Sequence, residues 1–336
     1  MITRPARAVD RHWFEPAPAS RLALIRILVG LWSLFYLGRR KAMYRRIART
    51  DPSLFRPVGP VRPLRAPLSE NAFSGAFNVT QAANVAFVLG WRHAYTGPIF
   101  CCSLLWLLSY RNSWSMVYHN DNVLVLHALV LGLTPSADAL SVDSAYHSQT
   151  PRGRSFRALT RGGSPPPSSA LHRRYGWPIK LINSTTMATY FLAGVAKLKG
   201  PLGTRWATGE SLRSQVAADG LRKELLGGKA ATAGLQIYER VAVYRILALG
   251  SLAIEIGAPL ALARPGLSRL WALGAFGMHW GILGVMGIRF RYQLTGLAFA
   301  PFFELERMPH LLRRLRRRPT ERRRLGRVFD GRVGRC

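Results

Sequence analysis

Leu22-Ala23-Leu24-Ile25-Arg26-Ile27-Leu28-Val29-Gly30-Leu31-Trp32-Ser33-Leu34-Phe35-Tyr36-Leu37 is the first of a series of apolar runs in this chain. It is entered after Pro18 and Ser20, and Arg26 is its single charge. Further runs follow at about Ala72–Leu89, Tyr95–Tyr110, Ser115–Leu133, Trp177–Leu198, Val241–Ala263 and Leu270–Ile288, and a short one at about Tyr292–Phe303. A membrane-spanning helix takes about 20 predominantly apolar residues. Runs near that length, repeated along the chain, predict an all-α polytopic membrane helix bundle of about eight spans, six to eight counting the short ones. Tilt and local bilayer thinning accommodate the shorter runs.

The composition points the same way. The 336 residues carry 48 Lys+Arg against 16 Asp+Glu, a formal charge of +32, yet 49% are hydrophobic. Mean hydropathy is slightly positive at +0.05. Charge and apolar content are therefore segregated along the chain. A disordered basic protein lacks the apolar runs, and a compact nucleic-acid-binding domain interleaves its basic residues with its fold. No nucleic-acid partner is expected. Three cysteines exclude a disulfide scaffold and a cysteine-rich metal site. No metal-ligand spacing is present either.

Basic connectors lie between the runs. Residues 38–66 hold Arg39, Arg40, Lys41, Arg45, Arg46, Arg49, Arg56, Arg62 and Arg65 against Asp51 alone. Residues 144–176 hold six arginines and the loop-forming Gly163-Ser164-Pro165-Pro166-Pro167, and residues 307–336 hold twelve arginines. The expected organisation is a basic N-terminal segment over 1–21 without a cleavable signal, a transmembrane bundle over 22–305, and a cytoplasmic arginine-rich tail over 306–336 that meets anionic lipid headgroups. Eight spans place residues 38–66 outside, against the positive-inside rule. Either the first run does not cross, or that segment rests on the external membrane face. Residues 199–240 have helix-forming composition and are expected on the membrane surface.

Ionisable groups inside apolar helices are costly and so are functional candidates. The fourth run opens on His119, Asn120, Asp121 and Asn122, and His127 follows Asn120 by one heptad on the same face. The fifth carries Lys180, Asn183, Met187, Tyr190, Gly194 and Lys197 at alternating spacings of three and four, one stripe on one helix. The sixth carries Glu255 and the seventh His279. If the fourth and fifth runs both cross, His119–Asn122 and Lys197 share one membrane face. There, partial burial makes a lysine a neutral base. The plainer alternatives are a snorkelling Lys197 and a solvated helix start at 119–122. Cys101-Cys102 reads as packing, because neighbouring helical side chains diverge.

Tyr190-Phe191-Leu192-Ala193-Gly194-Val195-Ala196-Lys197-Leu198, followed by Trp206 and Gly209, resembles the horizontally transferred transmembrane domain of vitamin K-dependent γ-carboxylases and their bacterial relatives. Gly90-Trp91-Arg92, Tyr95-Thr96-Gly97, the polar start at 119–122, Ala139-Leu140-Ser141-Val142-Asp143, and Glu255 with Pro259, Arg264-Pro265 and His279 are similar to that domain in the same order. The resemblance covers about residues 20–305. It implies that Lys197 is the base of a vitamin K hydroquinone-type reaction, with His119 or Asp121 standing where the family has a histidine. It also implies a quinone-like, lipid-soluble cofactor. The large extramembrane region that binds protein substrate in the animal carboxylases is not expected here. The size is similar to that of the sporulation-delaying protein B group, which takes part in peptide-toxin maturation.

Three roles follow. The first is a membrane enzyme with Lys197, His119 and Asp121 as catalytic residues and Asn120, Asn122, His127, Tyr190, Glu255 and His279 around them. The second is a maturation factor for a secreted peptide, working with partner proteins. The third is a scaffold whose polar residues only bind helices together.

Overall fold

A computed structural model describes residues 4–114, 116–149 and 170–308. The proline-rich stretch at 163–167 and the tail arginines beyond residue 308 lie outside the described residues. The chain divides into two units, Met1–Phe303 and Glu304–Cys336. In the second, the described residues form one 3-10 turn, Leu305–Arg307, with an Arg307–Glu304 ion pair of 2.8 Å.

The described residues of the first unit are mostly helical. Its helices are α1 (Arg4–Trp13), α2 (Ala19–Gly38), α3 (Lys41–Ile47), α4 (Glu70–Leu89), α5 (His93–Asn112), α6 (Asn122–Leu133), α7 (Val142–Gln149), α8 (Arg173–Lys199), α9 (Glu210–Leu225), α10 (Thr232–Gln236), α11 (Val241–Ile256), α12 (Pro265–Met286) and α13 (Arg291–Leu294). Two short strands, β1 (Ala17–Pro18) and β2 (Leu171–His172), pair antiparallel. They set the N-terminal segment beside the start of α8, where the Glu15 carbonyl passes so close to Gly176 that no Cβ fits. Lys180 then meets Glu15 at 2.9 Å, and Arg174 meets Asp138 at 3.2 Å.

Local chemistry fixes the helix ends. The Ser69 hydroxyl accepts the Ala72 N–H and Glu70 occupies the first turn, so α4 starts there. It ends on Gly90 at φ +63°, a left-handed cap that glycine adopts without steric cost. Arg92 is left-handed too, at φ +45°. Its conformation is held by Asp143, whose carboxylate accepts the N–H groups of Arg92 at 2.7 Å and His93 at 2.8 Å. Asp143 thus caps α5 from another element.

The α5–α6 crossing is built on two glycines. A Cβ on Gly97 would stand 2.5 Å from the Gly132 carbonyl oxygen, and one on Gly132 would stand 2.7 Å from that of Gly97. Buried Cys101 packs at the same crossing, 2.9 Å from the position of a Gly132 Cβ. Gly132→Ala is expected to separate the helices and destabilise the fold by about 1–3 kcal/mol. A thermal melt unchanged from the parent would show that the crossing relaxes freely.

Seven of the eight apolar runs contain a helix at or near the position read from the sequence, but the eight-span polytopic bundle does not stand. Among the described residues, α2 is the one helix long and apolar enough to cross a membrane. The other runs fall short for identifiable reasons. At ~1.5 Å per residue, the 12-residue α6 and the 16-residue α11 fall short of a hydrocarbon layer of about 30 Å. The long α8 includes Arg173, Arg174, Lys180, Lys197 and Lys199. Asn71, Asn78, Gln81 and Asn84 dilute α4, and Arg269, His279 and a series of glycines dilute α12. The eighth run resolves into the four-residue α13 and a 3-10 turn at Ala300–Phe302. Even α2 has 50% of its apolar window buried within the fold. Within 199–240, α9 and α10 pack against α11 and α12.

Candidate functional site

The polar stripe on α8 is a seam, and each member meets a different element. Asn183 donates to the Pro301 carbonyl at 3.4 Å, and Met187 is buried. Tyr190 reaches α12, where its hydroxyl lies 2.6 Å from His279 Nε2. At Gly194 the helix lies close against α11, since a Cβ there would stand 2.9 Å from the Cβ of Glu255. That contact sets the Glu255 carboxylate beneath the side chain three residues further on. Lys197 Nζ lies 2.6 and 2.7 Å from the two Glu255 oxygens.

This pair is asymmetric. The Lys197 side chain is 24% exposed and that of Glu255 8%. Trp206, from the 3-10 turn Gly203–Thr208 after α8, covers it with its ring centroid 4.7 Å from Nζ. Burial pushes the Glu255 carboxyl above the usual carboxylate range, and the ammonium beside it pulls back only in part.

Alongside, Tyr190 stands edge-on to Trp271 at 5.1 Å, and Phe290 stacks at a tilt on His279 at 4.8 Å. Nε2 is the one acceptor the Tyr190 O–H meets among the described residues, so the arrangement that satisfies the hydroxyl has it donating to Nε2, with the proton of the neutral ring on Nδ1. That Nδ1 is buried and has no hydrogen-bond partner.

The remaining candidates are held elsewhere. Thr186 donates its proton to the Ile182 carbonyl at 3.0 Å, so its oxygen accepts His127 Nε2–H at 2.7 Å. The bare Nδ1 of His127 then accepts the Tyr292 O–H at 2.8 Å. His127 is thereby a fully satisfied neutral core imidazole. Asp121 is neutralised by Arg111 at 2.7 Å and accepts the Tyr36 O–H at 2.8 and 2.9 Å, with Arg40 donating to the Tyr36 oxygen. Asn120 offers its backbone carbonyl to Gln293 at 3.4 Å. Asn122 is exposed at the start of α6. The side chain of His119 lies outside the described residues. The structure therefore brings together Lys197 with Glu255 and Tyr190 with His279. Asp121 and His127 join separate networks, and no hydrogen bond or ion pair links either to Lys197 among the described residues.

Sequence reading passed over the partners Arg111, Tyr36, Arg40, Thr186 and Tyr292. The signal for Arg111 was available, because a buried carboxylate such as Asp121 requires a cation.

The buried histidines make the fold acid-sensitive. Burial lowers the His279 pKa to about 4 and that of His127 to about 3, from an ordinary value of 6.5. Below 6.5 the unfolded chain takes up protons that the folded one refuses, so stability falls as pH drops from 6.5 toward about 4. Thermal melts at pH 7.5 and 4.5 are expected to show a lower midpoint at the acid pH, and His279→Phe is expected to shrink that difference. An equal difference in the variant would remove His279 from the account.

No family model, no characterised protein and no solved structure matches the chain.

Proposed function

We propose that the chain is a membrane-associated enzyme whose Lys197–Glu255 pair removes a proton from an acidic hydroxyl of a lipid-soluble, quinone-like molecule. The observation that carries this reading is the pair itself: a half-open amine against a buried carboxyl of raised pKa, covered by one indole. A lysine amine that has given up its proton is a base. The substrate O–H proton passes to Lys197 Nζ, the electron pair stays on the substrate oxygen, and Glu255 stabilises the ammonium that forms. The resemblance to the horizontally transferred transmembrane domain supports this role for Lys197.

A hydroquinone suits the residues nearby. The rings of Tyr190, Trp271, Phe290 and Phe299 cluster around His279. The orphaned Nδ1–H of His279 would donate to a ring oxygen. When bound, such a group supplies redox chemistry, and the chain's own residues orient it and hold its proton. Membrane association is supported by α2, with Leu31 and Phe35 exposed on it, and by exposed Ile246, Leu270 and Trp280 elsewhere on the helices.

A scaffold role is the second reading. It is favoured by the way Asp121, His127 and Tyr190 each find a partner within the helical unit.

The test titrates the full chain in neutral detergent with a short-chain hydroquinone and follows tryptophan fluorescence. Trp206 beside Lys197 is the reporter. Saturable quenching that weakens at least tenfold in a Lys197→Met/Glu255→Leu variant of equal thermal stability supports the enzyme. Absence of binding by the parent leaves the scaffold.

A further inference from the structure

A concentrated cationic feature lies away from Lys197, just beyond the C-terminal end of α2. A cavity of about 530 Å³ is lined by Gly38, Arg39, Lys41, Ala42, Arg45, Arg46 and Arg49. Five of its seven walls are cations, and no acidic residue is among them. Arg49 is engaged by Glu70 through two 2.9 Å contacts. Arg39, Lys41, Arg45 and Arg46 are exposed and make no ion pair among the described residues. Lys41 and Arg45 are four residues apart on α3, a like-charge spacing that costs a helix a few tenths of a kcal/mol. The fold therefore gathers five cations around a cavity with Glu70 as the one carboxylate paired to them among the described residues, a condition under which an anionic ligand contributes strongly.

Two neighbours identify the kind of anion. Leu31 and Phe35, 50% and 57% exposed, lie on α2 within two turns of the pocket, so an apolar surface leads directly into the cations. Lys41 and Arg45 also border a second, small cleft with Tyr44, Phe73 and Phe77 in its wall. Cations at the end of an apolar helix, with an aromatic cleft beside them, match the order of groups at a bilayer's headgroup boundary. The C-terminal dipole of α2 favours cations at that end.

We infer that this pocket binds the phosphate of an anionic phospholipid headgroup, with Arg39, Lys41, Arg45 and Arg46 as its ligands and the Phe73–Phe77 cleft beside the lipid's glycerol and first methylenes. The inference rests on the membrane association proposed for α2. It is independent of the Lys197 chemistry. It also gives the basic 38–49 stretch a partner that does not depend on which side of a membrane the segment occupies.

The experiment is native mass spectrometry of the full chain in neutral detergent, incubated with equal amounts of phosphatidylcholine and phosphatidylglycerol. The parent is expected to retain phosphatidylglycerol in preference. Arg39→Gln/Arg45→Gln/Arg46→Gln removes three charges, each worth about fivefold near an anionic surface, so that preference is expected to fall on the order of a hundredfold. A control with Arg313→Gln, Arg314→Gln and Arg316→Gln keeps it, which separates the pocket from the tail. The single Arg45→Glu variant is a second probe, expected to lose at least tenfold at unchanged thermal stability. A pocket variant that binds phosphatidylglycerol as the parent does overturns the proposal. So does displacement of the lipid by inorganic phosphate or glycerol phosphate at equal concentration, which would make this a soluble-anion site. Membrane association itself is read separately, by alkaline extraction of the expressed chain, so its failure and that of the pocket are distinguishable.

Discussion

Lys197→Met lowers the stability of the fold, and adding Glu255→Leu restores most of it. The single variant leaves a carboxyl that is 8% exposed without its cation. Breaking a fully buried pair from one side costs about 3–5 kcal/mol. Here water reaches the lysine end, so the expected loss is about 2 kcal/mol, a melting midpoint lower by several degrees. The double variant replaces both charges by apolar groups of similar size, a change that is often neutral or stabilising.

The loss has a pH signature. Glu255 already titrates above its ordinary value of 4.5 because it is buried, and without Lys197 nothing pulls it back. A carboxyl raised in the folded state contributes stability below its unfolded pKa and loses it as pH rises through the folded one. The single variant and the parent are therefore expected to converge at about pH 4 and to part as pH rises above 4.5. A pH-independent gap would mean that packing of the lysine stem, rather than charge, carries the effect. The double variant then separates the proposed roles. A scaffold tolerates it, because stability returns, whereas an acid–base site does not, because hydroquinone binding and turnover stay lost.

How far the sequence reached can be traced through α8. Its stripe at spacings of three and four identified one helix face correctly, and Gly194, Lys197 and Glu255 were each singled out. What the spacing cannot express is which element each position meets. Gly194 is informative only once α11 lies against it, since its missing Cβ is what brings Glu255 under Lys197. The same limit governs the cluster at 119–122. Asp121 looked like a companion of Lys197 because both fall at helix ends on one face of an assumed membrane. In the fold it faces α2 and α5 instead, through Tyr36 and Arg111. That inference depended on the fourth and fifth runs both crossing a membrane, and neither α6 nor α8 is both long and apolar enough to do so. Apolar content alone does not distinguish helices that cross a bilayer from helices that bury one another.

Arg26→Met is expected to be the most damaging single change in the first unit. Arg26 is fully buried about two turns into α2, the run that otherwise reads as uniformly apolar. Its guanidinium donates to the Ser136 carbonyl at 2.9 Å, the Leu140 carbonyl at 2.7 Å and the Val88 carbonyl at 3.3 Å. Val88 lies in the last turn of α4, where carbonyls have no intrahelical donor, and Ser136 and Leu140 lie in the connection between α6 and α7. One planar fork thus closes the ends of three elements with a positive charge where the α4 dipole is negative. Methionine fills the space of the stem but supplies no donor. Each buried acceptor left unsatisfied costs about 1–3 kcal/mol, so a loss of about 4 kcal/mol is expected after some water enters. Arg26→Lys keeps the charge but not the fork, and is expected to recover less than half. Gly90 tests the same joint from the other side: its φ is +63°, and a Cβ there would stand 2.8 Å from the Arg26 Nη1 and 2.4 Å from the Ser141 Cβ. If the fork is what holds the joint, Gly90→Ala and Arg26→Met together cost clearly less than the sum of the two alone, because each disrupts the same contacts. Thermal melts of the two single variants and the double measure this. Additive losses, or an Arg26→Met protein that melts with the parent, would show that the three element ends are held by something other than this arginine.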